Sequence, residues 1–361
     1  MRITVNKEEF TKAVSTVSRL ATTRATLPIL QNIYLSVGKD SMEVRSTDLE
    51  QTLQVEVEGK VEDKGALTVP ARLLADYLQN TTDKEITLVS EDTTLKISSK
   101  NHTAKVKGMP AEEYPDMPQV KTEQTITLPS VVLDEALTKT LFAVANDDTR
   151  PILTGLLFRF QGKELTVVGT DGYRLALYRQ KLPNDVQGDF ILPKKSMQEL
   201  QRLLIPGDIV FEFAGSQVHI LLGATKFTTR VLDGTFPAYE AIIPKQRKIT
   251  VKINPNTLLQ SLKVASLFSR DSAFSTKLEL KGRKLLVTAI SPQLGESKNE
   301  VDLDAEAEDF EISANAQYLI DALPNLKDEV EMSLVDQKSP IVLTEPKSEG
   351  YLYLVMPLRA E

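Results

Sequence analysis

Few residues in this chain carry the chemistry of a catalyst. The two histidines, His102 and His219, each lie in a strand-like run with no serine or acidic residue at a spacing that builds a nucleophile and its base, and both read as surface strand residues. Asp302 and Asp304 form a carboxylate pair of the kind that holds Mg²⁺, yet they bracket Leu303 just after Val301, which is the alternation of the wet side of a strand. The absence of cysteine excludes thiol nucleophiles, disulfides and thiolate-bound zinc. No GxxxxGKS/T phosphate loop, GxGxxG or GxSxG elbow occurs. The expectation is a binding protein with no catalytic residue, no metal and no cofactor. A monomeric peptide-binding adaptor and a nuclease using Asp302 and Asp304 are the competing readings.

Binding chemistry is better represented. Lys12 and Arg19, Lys195 and Arg202, and Lys263 and Arg270 are basic pairs seven residues apart in apparent helices, with Arg24, Arg72, Lys139 and Lys194 on or beside other helices. Taken singly these are ordinary solvated faces, and Glu8, Asp76, Glu135 and Glu199 on the same helices support that view. Recurrence along the chain gives equal weight to a basic face directed at phosphates, a contact blind to base sequence. The net charge of −7 describes the average surface only, and much of the acidic excess falls in strands and loops, as in Glu56, Glu58, Glu62 and Asp63 or Asp302 to Asp309.

Two further segments stand out. Gly169-Thr170-Asp171-Gly172-Tyr173-Arg174-Leu175 lies between alternating runs, where Asp-Gly is a strong hairpin signal and Gly172 supplies the positive φ. The C-terminal run Tyr351 to Leu358 is apolar where chain ends are usually polar, so it reads as a docked strand that leaves Met356-Pro357-Leu358 to line something.

The elements that must position these residues repeat. Leu27-Pro28-Ile29-Leu30 is echoed by Arg150-Pro151-Ile152-Leu153, Thr47-Asp48 by Thr170-Asp171, and Val69-Pro70 by Leu192-Pro193, all at an offset of 123, and Tyr114-Pro115 by Phe236-Pro237 at 122. A fainter third copy places Ile290-Ser291 and Ser313-Ala314 at offsets of 120 and 121. Such periods are far longer than solenoid repeats, so each copy is a domain with its own core, expected near 1–122, 123–248 and 249–361.

Each copy reads as strand, helix, strands, second helix, strands. Phe10, Ala13, Val14 and Val17 share one helical face, and Pro70 opens a helix that packs Leu73, Leu74, Tyr77 and Leu78. Leu133 to Val144, Met197 to Leu204, Leu258 to Ala265 and Tyr318 to Leu323 repeat the pattern. Thr52 to Val57, Glu85 to Val89 and Thr94 to Ile97 alternate as half-buried strands. The fold class is α+β: six short helices on one face of antiparallel sheets of roughly two dozen strands. The first residues lack the apolar core of a secretion signal and no run is apolar for 18 residues, so the expected location is cytoplasmic, with no membrane partner.

Over its whole length the sequence resembles the bacterial DNA polymerase III β subunits. Leu27 to Leu30, Thr47 to Glu50, Val69 to Arg72, Thr170 to Leu175, Asp233 to Tyr239 and Val355 to Arg359 carry the resemblance. It implies a head-to-tail homodimer whose six domains close a ring around double-stranded DNA, with helices toward the hole, and a loader ATPase that opens it. It also implies that Arg24 and the Asp147 to Ile152 loop with Arg150 approach the DNA, although Asp147, Pro151 and Ile152 depart from members with polar or aromatic side chains there. Polymerase subunits and the clamp loader would dock short motifs, a glutamine followed by leucines and an aromatic, in a groove between domains two and three. Carried over, that groove is Leu153, Thr170, Gly172, Tyr173, Arg174, Leu175, Pro237, Ile242, Pro340, Leu354, Met356, Pro357 and Leu358. Some members have His where Tyr173 stands and Arg where Ala241 stands, so motif preference is expected to differ. The implied dimer seam joins an edge strand near His102 to Gly108 to one near Leu267 to Phe274, with Leu267 and Phe268 as apolar anchors and Lys105 and Lys107 facing Glu296 and Glu300.

Overall fold

The computed structural model describes all residues except 22–26, 117–120, 148, 328, 347 and 359–361, and of Ser348 and Glu349 the backbone alone. One order of elements recurs three times. The first third runs β1 (Arg2–Asn6), α1 (Lys7–Val17), β2 (Asn32–Val37), β3 (Ser41–Thr47), β4 (Gln51–Asp63), β5 (Gly65–Pro70), α2 (Ala71–Asn80), β6 (Glu85–Glu91), β7 (Thr94–Ser98) and β8 (Thr103–Lys107). The middle runs β9 (Gln124–Pro129), α3 (Ser130–Thr140), β10 (Gly155–Thr170), β11 (Arg174–Pro193), α4 (Lys194–Leu203), β12 (Asp208–Ala214), β13 (Gln217–Leu222) and β14 (Thr225–Arg230). The last runs β15 (Ile249–Ile253), α5 (Pro255–Ser266), β16 (Ser275–Ser291), β17 (Gly295–Asn315), α6 (Ala316–Ala322), β18 (Val330–Leu334), β19 (Ile341–Glu345) and β20 (Ser348–Val355).

The described residues thus form six α-helices and twenty strands, fewer strands than expected. The reason is the central hairpin: its arms break into β2 to β5 in the first third but run unbroken as β10 with β11 and as β16 with β17. Asparagine side chains start three of the helices. Asn6 accepts from the Glu8 and Glu9 amides, Asn254 from Asn256 and Thr257, and Asn315 from Tyr318, each cap contributing about 1 kcal/mol.

Helix faces follow the apolar spacing with two corrections. In α2 the buried residues are Ala71, Leu74, Ala75 and Leu78, whereas Leu73 is 53% exposed. The buried four lie at i, i+3, i+4 and i+7, one face of the helix, and Leu73 falls outside it. In the middle third the helix stops at Thr140, and Leu141–Ala143 continues as a 3-10 turn before Val144. No helix among the described residues is long and apolar enough to cross a membrane.

The chain packs as two units, Met1–Ser130 with Glu199–Val231, and Val131–Gln198 with Leu232–Glu361. The first holds a twelve-stranded sheet with the path β8-β7-β6-β1-β4-β14-β13-β12-β9, in which β4 pairs antiparallel with β14. The second holds a six-stranded sheet, β10-β11-β20-β19-β18-β15, and the β16-β17 hairpin. Here β11 pairs antiparallel with β20, so the C-terminal strand is locked beside the middle third, as its apolar character required. One core cluster of the second unit gathers Leu258, Leu262, Leu319, Met332, Tyr351 and Tyr353. A smaller one lies beneath the 170–174 turn.

Candidate functional site

The Thr170–Arg174 turn is built by its own short polar side chains. The Thr170 hydroxyl donates to the Arg174 carbonyl at 2.6 Å and accepts from the Gly172 amide at 3.0 Å. The Asp171 carboxylate accepts from the Tyr173 and Arg174 amides at 2.9 and 3.0 Å. Gly172, at φ 90°, takes the left-handed backbone that such a turn needs. The Tyr173 side chain is left 61% exposed above it.

Below the turn, Leu175 sits directly opposite Leu354 on β20, and both join Leu153, Leu157, Leu177, Phe236, Tyr239 and Val342 in one apolar cluster. The C-terminal segment is threaded past this floor, the Met356 amide donating to the Tyr173 carbonyl at 2.9 Å and the Leu358 amide to the Ser313 carbonyl at 2.8 Å. Met356, Pro357 and Leu358 line a cavity of about 680 Å³ together with Lys277, Ile312 and Gln337. Pro340 is buried at the start of β19, while Pro237 and Ile242 are exposed beside the cluster residues Phe236, Tyr239 and Ile243. Floor, turn and tail are therefore assembled from segments nearly 200 residues apart in sequence, all within the second unit.

Two polar residues of the carried-over groove spend their hydrogen bonds inside the protein. The Arg174 guanidinium is buried, donates to Asp171 at 3.0 Å and to Asp321 at 2.6 Å, and stacks 4.6 Å over the Tyr318 ring. Burial opposes its charge, but Tyr353, Asp321 and Asp171 outweigh that and hold its pKa above the ordinary arginine value. Thr170 is likewise buried with its hydroxyl spent on the turn.

The basic residues divide sharply. Lys12, Arg72, Lys195 and Lys263 are exposed on their helices, and Arg202 is exposed on α4, 3.3 Å from Glu199. Lys139 is not a surface cation: it is 4% exposed and pairs with Glu345 at 2.7 Å and Glu135 at 3.2 Å. Its place on α3 turns it into the core, where only a paired ammonium is tolerated. Lys194 is half-buried, donates to the Val144 carbonyl at 3.0 Å and to Asn146 at 2.7 Å, and its pKa is lowered by burial and by Arg174.

Arg150 donates to the Asp171 carbonyl at 2.7 Å, bracing the groove turn. Arg19 lies beyond the end of α1 and pairs with Glu199, and Arg270 lies beyond α5, so neither shares a helix face with its expected partner. Arg24 lies outside the described residues.

Of the expected seam residues, Lys105 and Lys107 lie on β8, which ends its sheet, and Lys105 is 3.7 Å from Glu91. Glu296 and Glu300 lie on β17, paired only with β16 among the described strands, and Glu300 forms an ion pair with Lys284. The Leu267 to Phe274 stretch is not an edge strand. It caps α5 and makes a 3-10 turn at Arg270–Ser272, leaving Leu267 half-exposed and Phe268 packed on the core. The amides of Leu267, Phe268 and Ser269 are bonded back to α5, which removes them from ladder pairing.

The chemistry-bearing residues also find their places. Asp302 and Asp304 are exposed on β17 with Leu303 buried between them, the wet side of a strand. His219 is buried rather than on the surface, its Nδ1 2.9 Å from the Thr228 hydroxyl, and burial lowers its pKa. His102 has an acidic partner that spacing did not reveal: its Nδ1 is 2.8 Å from Asp83. Ser99 donates to that same carboxylate rather than to the ring, so the three do not form an activated nucleophile. Sequence reasoning missed Asp321, Phe236, Tyr239 and Val342. Of these only Phe236 carried a signal, the repeated aromatic-proline landmark.

The chain matches known proteins along its whole length. Models of the N-terminal, central and C-terminal domains of the DNA polymerase III beta subunit match residues 1–118, 127–238 and 240–359. It is 30% identical over 365 residues to the beta sliding clamp of Haemophilus influenzae and 30% over 368 to that of Escherichia coli K12, covering 99% of this chain and 100% of each relative. The crystal structure of the DNA polymerase III subunit beta from Pseudomonas aeruginosa superposes with a TM-score of 0.95 at 27% identity, and the DnaN sliding clamp of Bartonella birtlesii bound to griselimycin with 0.94 at 29%, each over 100% of both chains. Three clamp domains of antiparallel sheet with few helices, matched one after another by the three domain models, place this chain in the DNA polymerase III beta subunit family, the bacterial sliding clamps, which are non-catalytic processivity factors of the replicative polymerase.

Proposed function

We propose that two copies of this chain close head to tail into a ring around duplex DNA and hold polymerases on it through the groove beneath the Thr170–Arg174 turn. The domains acting in that ring are 1–122, 123–248 and 249–361. Lys12, Arg72, Lys195, Arg202 and Lys263 contact phosphates without reading bases, so the ring slides while the tethered polymerase stays at high local concentration. Lys139 and Lys194 take no part in that contact, being committed inside the protein.

The observation that carries the reading is the apolar floor of Leu153, Leu175 and Leu354 beside the half-buried Met356, Pro357 and Leu358. Aliphatic floor, adaptable methionine and exposed Tyr173 suit the leucines and aromatic of a short linear motif. Polymerase subunits and an ATP-driven loader are the partners that such a motif delivers, in the cytoplasm and on the nucleoid during replication. Copies meet through β8 on one side and the edge of β17 on the other, with Leu267 and Phe268 beside the seam and Lys105 and Lys107 toward Glu296 and Glu300.

Negative-stain electron microscopy of the purified protein, with light scattering at the same concentration, tests the ring. A six-lobed closed particle of twice the chain mass is expected. Compact monomers at every concentration would defeat it.

A further inference from the structure

The unit Met1–Ser130 with Glu199–Val231 contains a second turn built as the groove turn is built. The Thr47 hydroxyl donates to the Gln51 carbonyl at 2.7 Å and accepts from the Leu49 amide at 3.0 Å, and Asp48 accepts from the Glu50 and Gln51 amides at 3.0 and 2.7 Å. This is the bonding of Thr170 and Asp171, residue for residue. The following strand keeps the register too: Gln51, Thr52 and Leu53 face Thr229, Thr228 and Phe227 on β14, as Arg174, Leu175 and Ala176 face Val355, Leu354 and Tyr353 on β20. One strand further, Thr228 faces His219 as Leu354 faces Val342.

The positions of Leu175, Leu354 and Val342 are therefore held by Thr52, Thr228 and His219. All three are more than nine-tenths buried. Thr52 donates to Thr47 at 3.1 Å, and Thr228 is bonded to the His219 ring. At the rim, Leu49 at φ 77° stands where Gly172 stands at 90°, so this turn carries a half-exposed leucine in a costly backbone conformation at the position where the groove turn has no side chain.

We infer that Thr52, His219 and Thr228, with Leu49 at the rim, are the specificity determinants that restrict each chain to one site for the apolar motif. A leucine packed against Leu175, Val342 and Leu354 meets only carbon. Packed against the other floor, it meets buried hydroxyls and an imidazole, and its side chain offers them no hydrogen bond. The same backbone thus presents an apolar floor once and a polar floor once. This inference rests on the reading of the Leu175 groove as the motif site.

The test is calorimetric titration of the full-length protein with a short synthetic peptide, a glutamine followed by leucines and a phenylalanine. The parent is expected to take one peptide per chain. The variant Leu49→Gly, Thr52→Leu, His219→Val, Thr228→Leu is expected to take two. One peptide per chain in a variant that still melts cooperatively would overturn the inference. Should that variant fail to fold, Leu175→Thr with Leu354→Thr decides: a loss of affinity on the order of a hundredfold is expected, and unchanged affinity overturns the role given to the floor. A parent that takes no peptide defeats the groove reading itself, which is a different outcome from one site before and one site after.

Discussion

The Arg174 guanidinium reaches from the groove turn to the Asp321 carboxylate on α6, 2.6 Å away, and the Gln317 side chain donates to the other oxygen of that carboxylate at 2.7 Å. A contact across 147 residues of sequence thus holds the turn on the helix that follows β17. The turn is held from beneath by an ion pair whose arginine is buried.

Arg174→Ala is expected to lower stability by about 3 kcal/mol, because Asp171 and Asp321 lose their counter-ion at a site with little solvent. Asp321→Asn is expected to lower it by less, since the amide keeps a hydrogen bond. Both weaken motif peptides by loosening the turn. Urea unfolding and peptide titration on the same samples check this, and full peptide affinity in a destabilised Arg174→Ala protein would separate the pair from the groove.

Met356→Ala removes a half-buried, flexible side chain from the cavity wall without disturbing the backbone bond of residue 356 to Tyr173. Peptide affinity is expected to fall about tenfold with the unfolding midpoint nearly unchanged. Unchanged affinity would remove Met356 from the groove.

Lys195→Glu with Arg202→Glu reverses two exposed charges on α4. Retention on circular DNA at low salt is expected to drop, and the slope of log affinity against log salt to become shallower by about one unit for each phosphate that is no longer neutralised. Retention equal to the parent would show that these side chains do not face DNA.

Lys139→Ala makes the opposite division. With Glu345 left buried and unpaired, stability is expected to fall by roughly 3 kcal/mol, while the salt dependence of DNA retention stays as in the parent. A change in that slope would restore Lys139 to the DNA-facing set.

His219 supplies a pH dependence. Burial, then Lys226, lowers its pKa from the ordinary 6.5, so between that value and its lower folded value the unfolded chain binds a proton that the folded chain does not. Stability from this group is complete above about pH 7 and declines as pH falls, by up to about 1.4 kcal/mol per pH unit. His219→Gln is expected to lose that part of the slope. Identical slopes in the two proteins between pH 7 and pH 5 would exclude it.

The sequence by itself determined what is local or repeated. Periodic apolar residues mark all six helices because burial on one side of a helix needs only spacing. The offset of 123 exposes the repeated hairpin because the same turn requires the same Thr-Asp pair, and the apolar C-terminus announces a docked strand. Only the tertiary structure decided which charges are free. Lys139 and Lys195 look alike in sequence, but one faces Glu345 in the core and the other faces solvent, and that depends on how α3 and α4 rotate onto their sheets. It also decided that Arg174 is held by Asp321, that Asp83 meets His102, and that Leu267 to Phe274 caps a helix instead of extending a sheet. Each of these is a contact between residues far apart in the chain, or a choice made by hydrogen bonds to a neighbouring helix. Spacing along the sequence does not encode such contacts, because they exist only once the backbone has brought the partners together.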